Sequence, residues 1–131
     1  MFRIMYDNAG GRSIGNPMRV PVTAGEAYSM GEALVITGGK ATKCGATVKP
    51  THMCSQDQAA DAKETVLVYP ISGTMVFETS VTAAPTALTV GSKVTLAADG
   101  LGVTATTTNG VCEIVDLRDA KAIGDKITVK F

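Results

Sequence analysis

The sequence has 131 residues, of which 45% are hydrophobic and 18% are charged. This length suits one domain with a buried core and is short for two. Twelve basic residues balance twelve acidic ones. A formal charge of zero argues against a general nucleic-acid binder and against electrostatic docking to a membrane, because both need a basic excess. No apolar run approaches the ~20 residues of a membrane-spanning helix, so we expect a soluble protein made in a cytoplasm.

The first 20 residues differ in pattern from the rest of the chain. They show no sustained period and contain turn signals at Gly10-Gly11 and Asn16-Pro17. They nevertheless carry more apolar side chains than a solvated tail usually has. We therefore predict that residues 1–20 form an extended arm that binds a partner protein. The residues predicted to make these contacts are Phe2, Arg3, Ile4, Tyr6, Arg12, Ile14, Met18 and Arg19.

Residues 21–131 are typical of a single all-β domain, because short runs rich in Val and Thr alternate with turn signals. The predicted turns are Gly38-Gly39, Asp99-Gly100 and Asn109-Gly110. The Asn-Gly pair is the strongest hairpin signal, and it predicts that residues 104–108 pair with residues 111–117.

A seven-residue pattern occurs three times, at residues 30–36, 90–96 and 123–129. Each copy has an apolar residue, a glycine, a polar residue, any residue, and then alternating apolar positions. The glycine permits a tight bend, the polar side chain caps the turn, and the alternation begins a strand with one buried face. The glycines predicted to form structural turns are Gly31, Gly91 and Gly124, together with Gly100 and Gly110. The longer blocks 31–69 and 91–131 also align, which predicts a small β-barrel of two similar halves.

Several of these turn segments carry a resemblance to a known family. They are Ala24-Gly25-Glu26-Ala27, Gly31, Gly38-Gly39-Lys40, and the turns within residues 88–100 and 119–129. Together they resemble the head decoration (cement) proteins of tailed bacteriophages. The resemblance implies a small β-tulip-like barrel with an N-terminal arm, and it implies no catalytic residues. Residues 43–52 and 70–86 depart from the family pattern, so no loop contacts can be carried over.

The resemblance implies a structural virion protein on the exterior of the capsid. Its expected partners are the major capsid protein and neighbouring copies of itself, as a trimer or a dimer, with no nucleic acid and no membrane. Two alternatives stay open: another head or tail component with the same barrel, and a small β module that binds carbohydrate or single-stranded nucleic acid. The ligand-binding alternative is poorly supplied with stacking side chains, because the chain has no Trp and three Tyr.

Two patterns resemble reactive sites, and neither predicts an enzyme or a metalloprotein. Residues 11–15 match the Gly-x-Ser-x-Gly nucleophile elbow but lack its flanking strand and helix. His52, Cys44, Cys54 and Cys112 have the composition of a zinc site but lack the close Cys-x₂₋₄-Cys spacing. We expect no catalytic site, no cofactor and no metal, and we interpret the cysteines as small buried hydrophobic residues.

Overall fold

A computed structural model describes residues 1–9 and 16–131 of the chain. Within these residues the backbone forms eleven strands and no helix. In chain order the strands are β1 (Arg3–Asp7), β2 (Met18–Pro21), β3 (Ala33–Thr37), β4 (Lys40–Lys43), β5 (His52–Cys54), β6 (Thr65–Pro70), β7 (Met75–Val81), β8 (Lys93–Val94), β9 (Gly102–Val103), β10 (Cys112–Asp116) and β11 (Lys126–Lys130). The all-β class predicted from the sequence is confirmed.

The strands form two sheets. Sheet A has six strands in the order β1-β7-β11-β10-β8, and β9 pairs in parallel with the end of β7 beyond β1. Sheet B has five strands in the order β2-β6-β5-β3-β4, and all its neighbours are antiparallel. The chain passes from one sheet to the other after residue 70. Strands β2 to β6 lie in sheet B and strands β7 to β11 lie in sheet A, and β1 also belongs to sheet A.

Sheet B is buried on both faces because successive side chains of a strand point to opposite sides. One face adds to a large core that it shares with sheet A, and the other face lines a second core. The first face contributes Ala33, Met53 and Tyr69, and the second contributes Leu34, Cys54 and Val68. This two-sided burial explains why the strands of sheet B contain few charged residues.

The two edges of sheet B lie next to each other. An isolated bridge joins Val22, just after β2, to Ala41 in β4. The buried Tyr28 hydroxyl donates to the Ala41 carbonyl at 2.8 Å, which holds the loop before β3 against the same edge. In sheet A the outer strands are β1 and the two-residue β8.

The structure confirms one of the predicted hairpins and contradicts another. Gly38 and Gly39 connect β3 to β4 as a hairpin, as predicted. Asn109 adopts a φ of +56°, yet the predicted pairing of residues 104–108 with 111–117 is wrong. The first segment instead forms hydrogen bonds with Thr95, which leaves β10 to pair with β8 and β11.

Candidate interaction surface

The three copies of the repeated pattern fold into the same turn. The φ angle of the glycine is +75° at Gly31, +88° at Gly91 and +90° at Gly124. In each copy the residue after the glycine donates its N–H to the carbonyl three residues earlier, at 3.0–3.3 Å. These are the features of a type II turn, which favours glycine at its third position because φ is positive there. The turns predicted at these three glycines are confirmed.

Each turn is also capped by a side chain, as the sequence predicts. The side chain of the fourth turn residue accepts a hydrogen bond from the N–H of the first. The pairs are Ser29 to Glu32 at 2.8 Å, Thr89 to Ser92 at 3.1 Å and Ala122 to Asp125 at 2.8 Å. The N–H of Lys121 also donates to Asp125, and the two backbone donors lower the pKa of this carboxyl below its ordinary value.

The turns are attached to neighbouring strands by an identical pair of backbone hydrogen bonds. The N–H of each glycine donates to a strand carbonyl, and the N–H of that strand residue donates to the carbonyl of the residue after the glycine. The strand residues are Cys54 for Gly31, Ile114 for Gly91 and Val81 for Gly124, with distances of 2.8–3.1 Å. These bonds fix the direction of each turn, so the residue at its second position projects away from the sheet.

A large apolar side chain occupies the second position of every turn. We call these three residues the turn tips: Met30, Val90 and Ile123, with exposed fractions of 49%, 65% and 71%. The second position of a type II turn needs no apolar side chain, and proline is the residue it favours. The turn geometry does not require these apolar side chains, so the three turn tips are candidate contact points for another molecule.

Two of the turn tips lie at the same end of sheet A. The turn at Val90 bonds to Ile114, the central residue of β10, and continues into β8, whose Lys93 lies opposite Glu113, so the turn lies toward the Asp116 end of β10. The turn at Ile123 leads into β11, whose central residue Thr128 lies opposite Asp116 at the end of β10. Met30 belongs to sheet B, but its turn lies beside the start of β1, where Gly31 accepts the N–H of Phe2 at 2.9 Å.

A groove of about 230 Å³ adjoins the Met30 tip. It runs between the start of β1 and the strands β5 and β6, and its lining is mainly apolar. Its main apolar side chains are Met1, Ile4, Met30 and Tyr69. Burial raises the pKa of the Tyr69 hydroxyl to about 12, so this side chain stays neutral at physiological pH. The groove extends the apolar surface that begins at Met30.

The residues of the predicted arm lie in the two sheets wherever the structure describes them. Phe2, which we expected to fill a pocket of a partner, is 2% exposed and packs against Phe77 and Phe131 at ring-centroid distances of 6.4 and 5.3 Å. These three rings form an aromatic cluster in the large core. The expectation for Phe2 needs correction, because its ring is used by its own domain. Arg12 and Ile14, like the elbow motif at residues 11–15, lie outside the described residues.

The other predicted contact residues are at the edges of the sheets. Arg3, Ile4 and Tyr6 belong to β1, which pairs with β7, while Met18 and Arg19 belong to β2, which pairs with β6. Ile4 is half-buried, and the remaining four are exposed. The described part of residues 1–20 is therefore ordered against its own domain, and the exposed members of the predicted set remain accessible to a partner.

The structure separates the four residues with the composition of a zinc site. Cys44 and Cys112 belong to the large core, whereas Cys54 belongs to the second core. All three thiols are free and buried, and burial raises the pKa of each, to about 11 for Cys44. His52 is half-buried, and desolvation lowers the pKa of its imidazole. Among residues 1–9 and 16–131, no three His, Cys, Asp or Glu side chains are grouped to hold a metal.

Glu32 is a buried acid that the sequence reasoning treated only as a turn residue. Its side chain is 1% exposed, and one oxygen accepts the N–H of Ser29. The other oxygen lies 2.9 Å from the ammonium group of Lys43, which is half-exposed. The carboxylate thus holds its turn by one hydrogen bond and one ion pair, and the ion-paired oxygen has no hydrogen-bond partner among the described residues. This arrangement fixes the base of the Met30 tip.

Comparisons with known proteins give no family assignment. No protein-family model matches the chain, and no curated protein matches it in sequence. Within the described part of the chain, no helix is long and apolar enough to cross a membrane.

Proposed function

We propose that this chain is a structural protein of a tailed-phage virion that binds the outer surface of the capsid. In that position it stabilises the shell by bridging neighbouring capsomers. The observation that carries the proposal is the set of turn tips, three exposed apolar residues on rigid and equivalent turns. The resemblance of these same turn segments to capsid decoration proteins gives the surface its proposed partner, the major capsid protein.

The proposed mechanism uses a rigid block with several small contacts. Val90 and Ile123 at one end of sheet A, and Met30 beside the start of β1, would each enter a shallow apolar pocket on the shell. Burying the exposed part of one such side chain contributes roughly 1 kcal/mol. Three such contacts on one rigid body add up to roughly 3 kcal/mol, or about a 100-fold change in affinity.

The exposed residues of β1 and β2 supply a second set of proposed contacts. Arg3 and Arg19 are suited to pair with carboxylates on the shell, because the planar guanidinium group forms two parallel hydrogen bonds with a carboxylate. Tyr6 and Met18 lie beside them with exposed apolar surface. These strands are anchored in the domain, so the contacts cost less ordering entropy than those of a free arm.

We further propose that sheet B is the barrel-like part of the fold and that the chain consists of two related halves. The bridge between Val22 and Ala41 supports the first statement, because it links the two edges of sheet B. The second is supported by the matching attachment of the turn at Gly31 to Cys54 and of the turn at Gly91 to Ile114. In the aligned sequence blocks these two strand regions correspond. We also propose that the chain associates with neighbouring copies of itself on the shell, as a trimer or a dimer.

The test is a decoration assay on capsids of the phage that encodes the chain. The informative variant is M30S/V90S/I123S, and its matched control is M30L/V90L/I123L, which keeps the turn tips apolar. We expect the wild-type protein and the leucine control to decorate the shell in electron micrographs, and the serine variant to bind about 100-fold more weakly. Failure of the wild-type protein to bind any such shell contradicts the proposed function.

If all three proteins decorate the shell equally, the turn tips are not the contact surface. Circular dichroism and thermal unfolding of the variants provide the control for folding. Because each tip is exposed, we expect the three proteins to share one unfolding profile.

A further inference from the structure

A second surface on sheet A carries a concentration of positive charge. Three adjacent strands place Lys93, Glu113 and Lys130 directly opposite one another, with Glu113 in the middle. Directly opposite residues share one face of a sheet, so the three side chains form a row. Lys49, from the loop between β4 and β5 of sheet B, borders the same region. Lysines from both sheets therefore converge at one place.

These residues border a concave site of about 420 Å³, which we call the basic depression. Its lining includes Lys49, Lys93, Lys130, Glu113, Gly73 and Gly110. The glycines contribute to its open shape. A Cβ at Gly110 would lie 2.2 Å from the Lys93 carbonyl oxygen, and one at Gly73 would lie 3.3 Å from the Phe131 carbonyl oxygen. A side chain at Gly110 would clash with backbone, so the lining stays free of side chains there.

The charges of the basic depression are not balanced. Lys130 pairs with Glu113 at 3.4 Å, whereas Lys49 and Lys93 form no ion pair with any described residue. The α-carboxylate of Phe131 is near and also forms no ion pair within the described part of the chain. Three positive charges against two negative ones leave an excess of one. Two of the lysines are thus available to an external anion.

We infer that the basic depression binds an acidic segment of a partner polypeptide, with a carboxylate placed between Lys49 and Lys93. Charge complementarity selects the occupant. The carboxylate of Glu113 would repel a continuous row of phosphates, which disfavours nucleic acid. A peptide can instead place a neutral group or an N–H donor opposite Glu113. The inference rests on the proposed function only in naming the capsid protein as the carrier of this segment.

The test uses a short peptide, so that it does not depend on the capsid. An acetylated Asp-Gly-Asp-Gly amide is titrated into ¹⁵N-labelled full-length protein, with the uncharged Asn-Gly-Asn-Gly amide as the control. We expect chemical-shift changes centred on the amides of Gly73 and Gly110, with a dissociation constant of about 1 mM, because exposed ion pairs are individually weak. Raising the salt concentration from 20 to 200 mM should weaken binding several-fold, because salt screens exposed charges.

Variants decide whether the lysines are responsible. The double substitution K49Q/K93Q should abolish the shifts, while the control variant K63Q, which removes an exposed lysine from the loop between β5 and β6, should leave them unchanged. The inference is overturned if the acidic peptide causes no shifts or if the double variant retains them. It is also overturned if inorganic phosphate or a short oligonucleotide binds at the same amides more tightly than the peptide.

The outcomes separate this inference from the proposed function. If the peptide binds at the basic depression and the wild-type protein fails to decorate capsids, the site stands and the capsid function fails. If the protein decorates capsids but the peptide does not bind, the capsid function stands and the acidic-segment site fails.

Discussion

Sheet B and sheet A use their two faces differently. Sheet B buries one face in each of two cores, and its exposed strand residues lie mainly in the outer strands β2 and β4. Sheet A buries one face, and its other face carries polar and charged side chains such as Glu78, Glu113 and Lys126. Two of the three turn tips belong to sheet A, and so do all residues that border the basic depression from strands. The difference teaches that the residues that pack the cores are distinct from those of the proposed contact surfaces, so that substitutions can change one set without the other.

The largest effect should come from the aromatic cluster, where residues of β1, β7 and the chain end meet. The substitution Phe2→Ala removes a ring that is 2% exposed, and we expect it to lower the free energy of unfolding by about 3–5 kcal/mol. Urea denaturation followed by circular dichroism measures the change. A Phe2→Ala protein with unchanged stability would mean that the first residues act as a free arm rather than as part of sheet A.

A smaller effect is expected at the base of the Met30 tip, in sheet B. Glu32→Ala leaves the N–H of Ser29 without its side-chain acceptor and the ammonium group of Lys43 without its partner. We expect a loss of about 1–3 kcal/mol in the free energy of unfolding. The comparison variant Lys43→Ala leaves the buried carboxylate without its counter-ion, so we expect a loss of similar size, about 1–3 kcal/mol. A Lys43→Ala protein as stable as wild type would contradict the role assigned to the buried ion pair.

The corresponding turn in sheet A offers a pH test. Backbone hydrogen bonds from Lys121 and Ala122 lower the pKa of the Asp125 carboxyl in the folded protein below its ordinary value of 3.8. This interaction therefore stabilises the fold above pH 3.8, and the stabilisation is lost as the pH falls through the folded-state pKa. Asp125→Asn should be less stable than wild type at pH 6, and the gap should close in acid. A gap independent of pH would exclude a role for the charge.

The smallest effect on stability is expected at the turn tips. Ile123→Ser changes a side chain that is 71% exposed, so the free energy of unfolding should change by less than about 0.5 kcal/mol. Chemical denaturation of the single variant beside wild type checks this. A large loss of stability would show that Ile123 packs within its own domain, and the contrast between packing residues and surface residues would then fail at this position.

The sequence predicted the turns well because their determinants are local. A glycine at the third position and a capping side chain at the fourth specify each repeated turn within four residues. The direction of the turn tips was not predicted, although the apolar residue directly before each glycine was visible as a signal. In the sequence pattern that residue is simply apolar, and its exposure becomes visible only when the turn is attached to a neighbouring strand in the folded protein.

The pairing of distant segments could not be predicted from local patterns. In β1 the register shifts between Ile4 and Tyr6, which interrupts the alternation that marks a strand. The burial of Phe2 depends on Phe77 and Phe131, which lie far away in the sequence. The basic depression has the same origin, because Lys49 meets Lys93 only after sheet A and sheet B have packed together.

The buried thiols have a consequence for the chemistry of the protein outside a reducing environment. Disulfide exchange requires a thiolate, and the pKa of about 11 at Cys44 leaves very little of it at neutral pH. Cys54 and Cys112 are buried as well, with their pKa values shifted in the same direction. A folded copy exposed to air should therefore resist both oxidation and covalent cross-linking to its neighbours. Its association with other chains would then remain non-covalent and reversible.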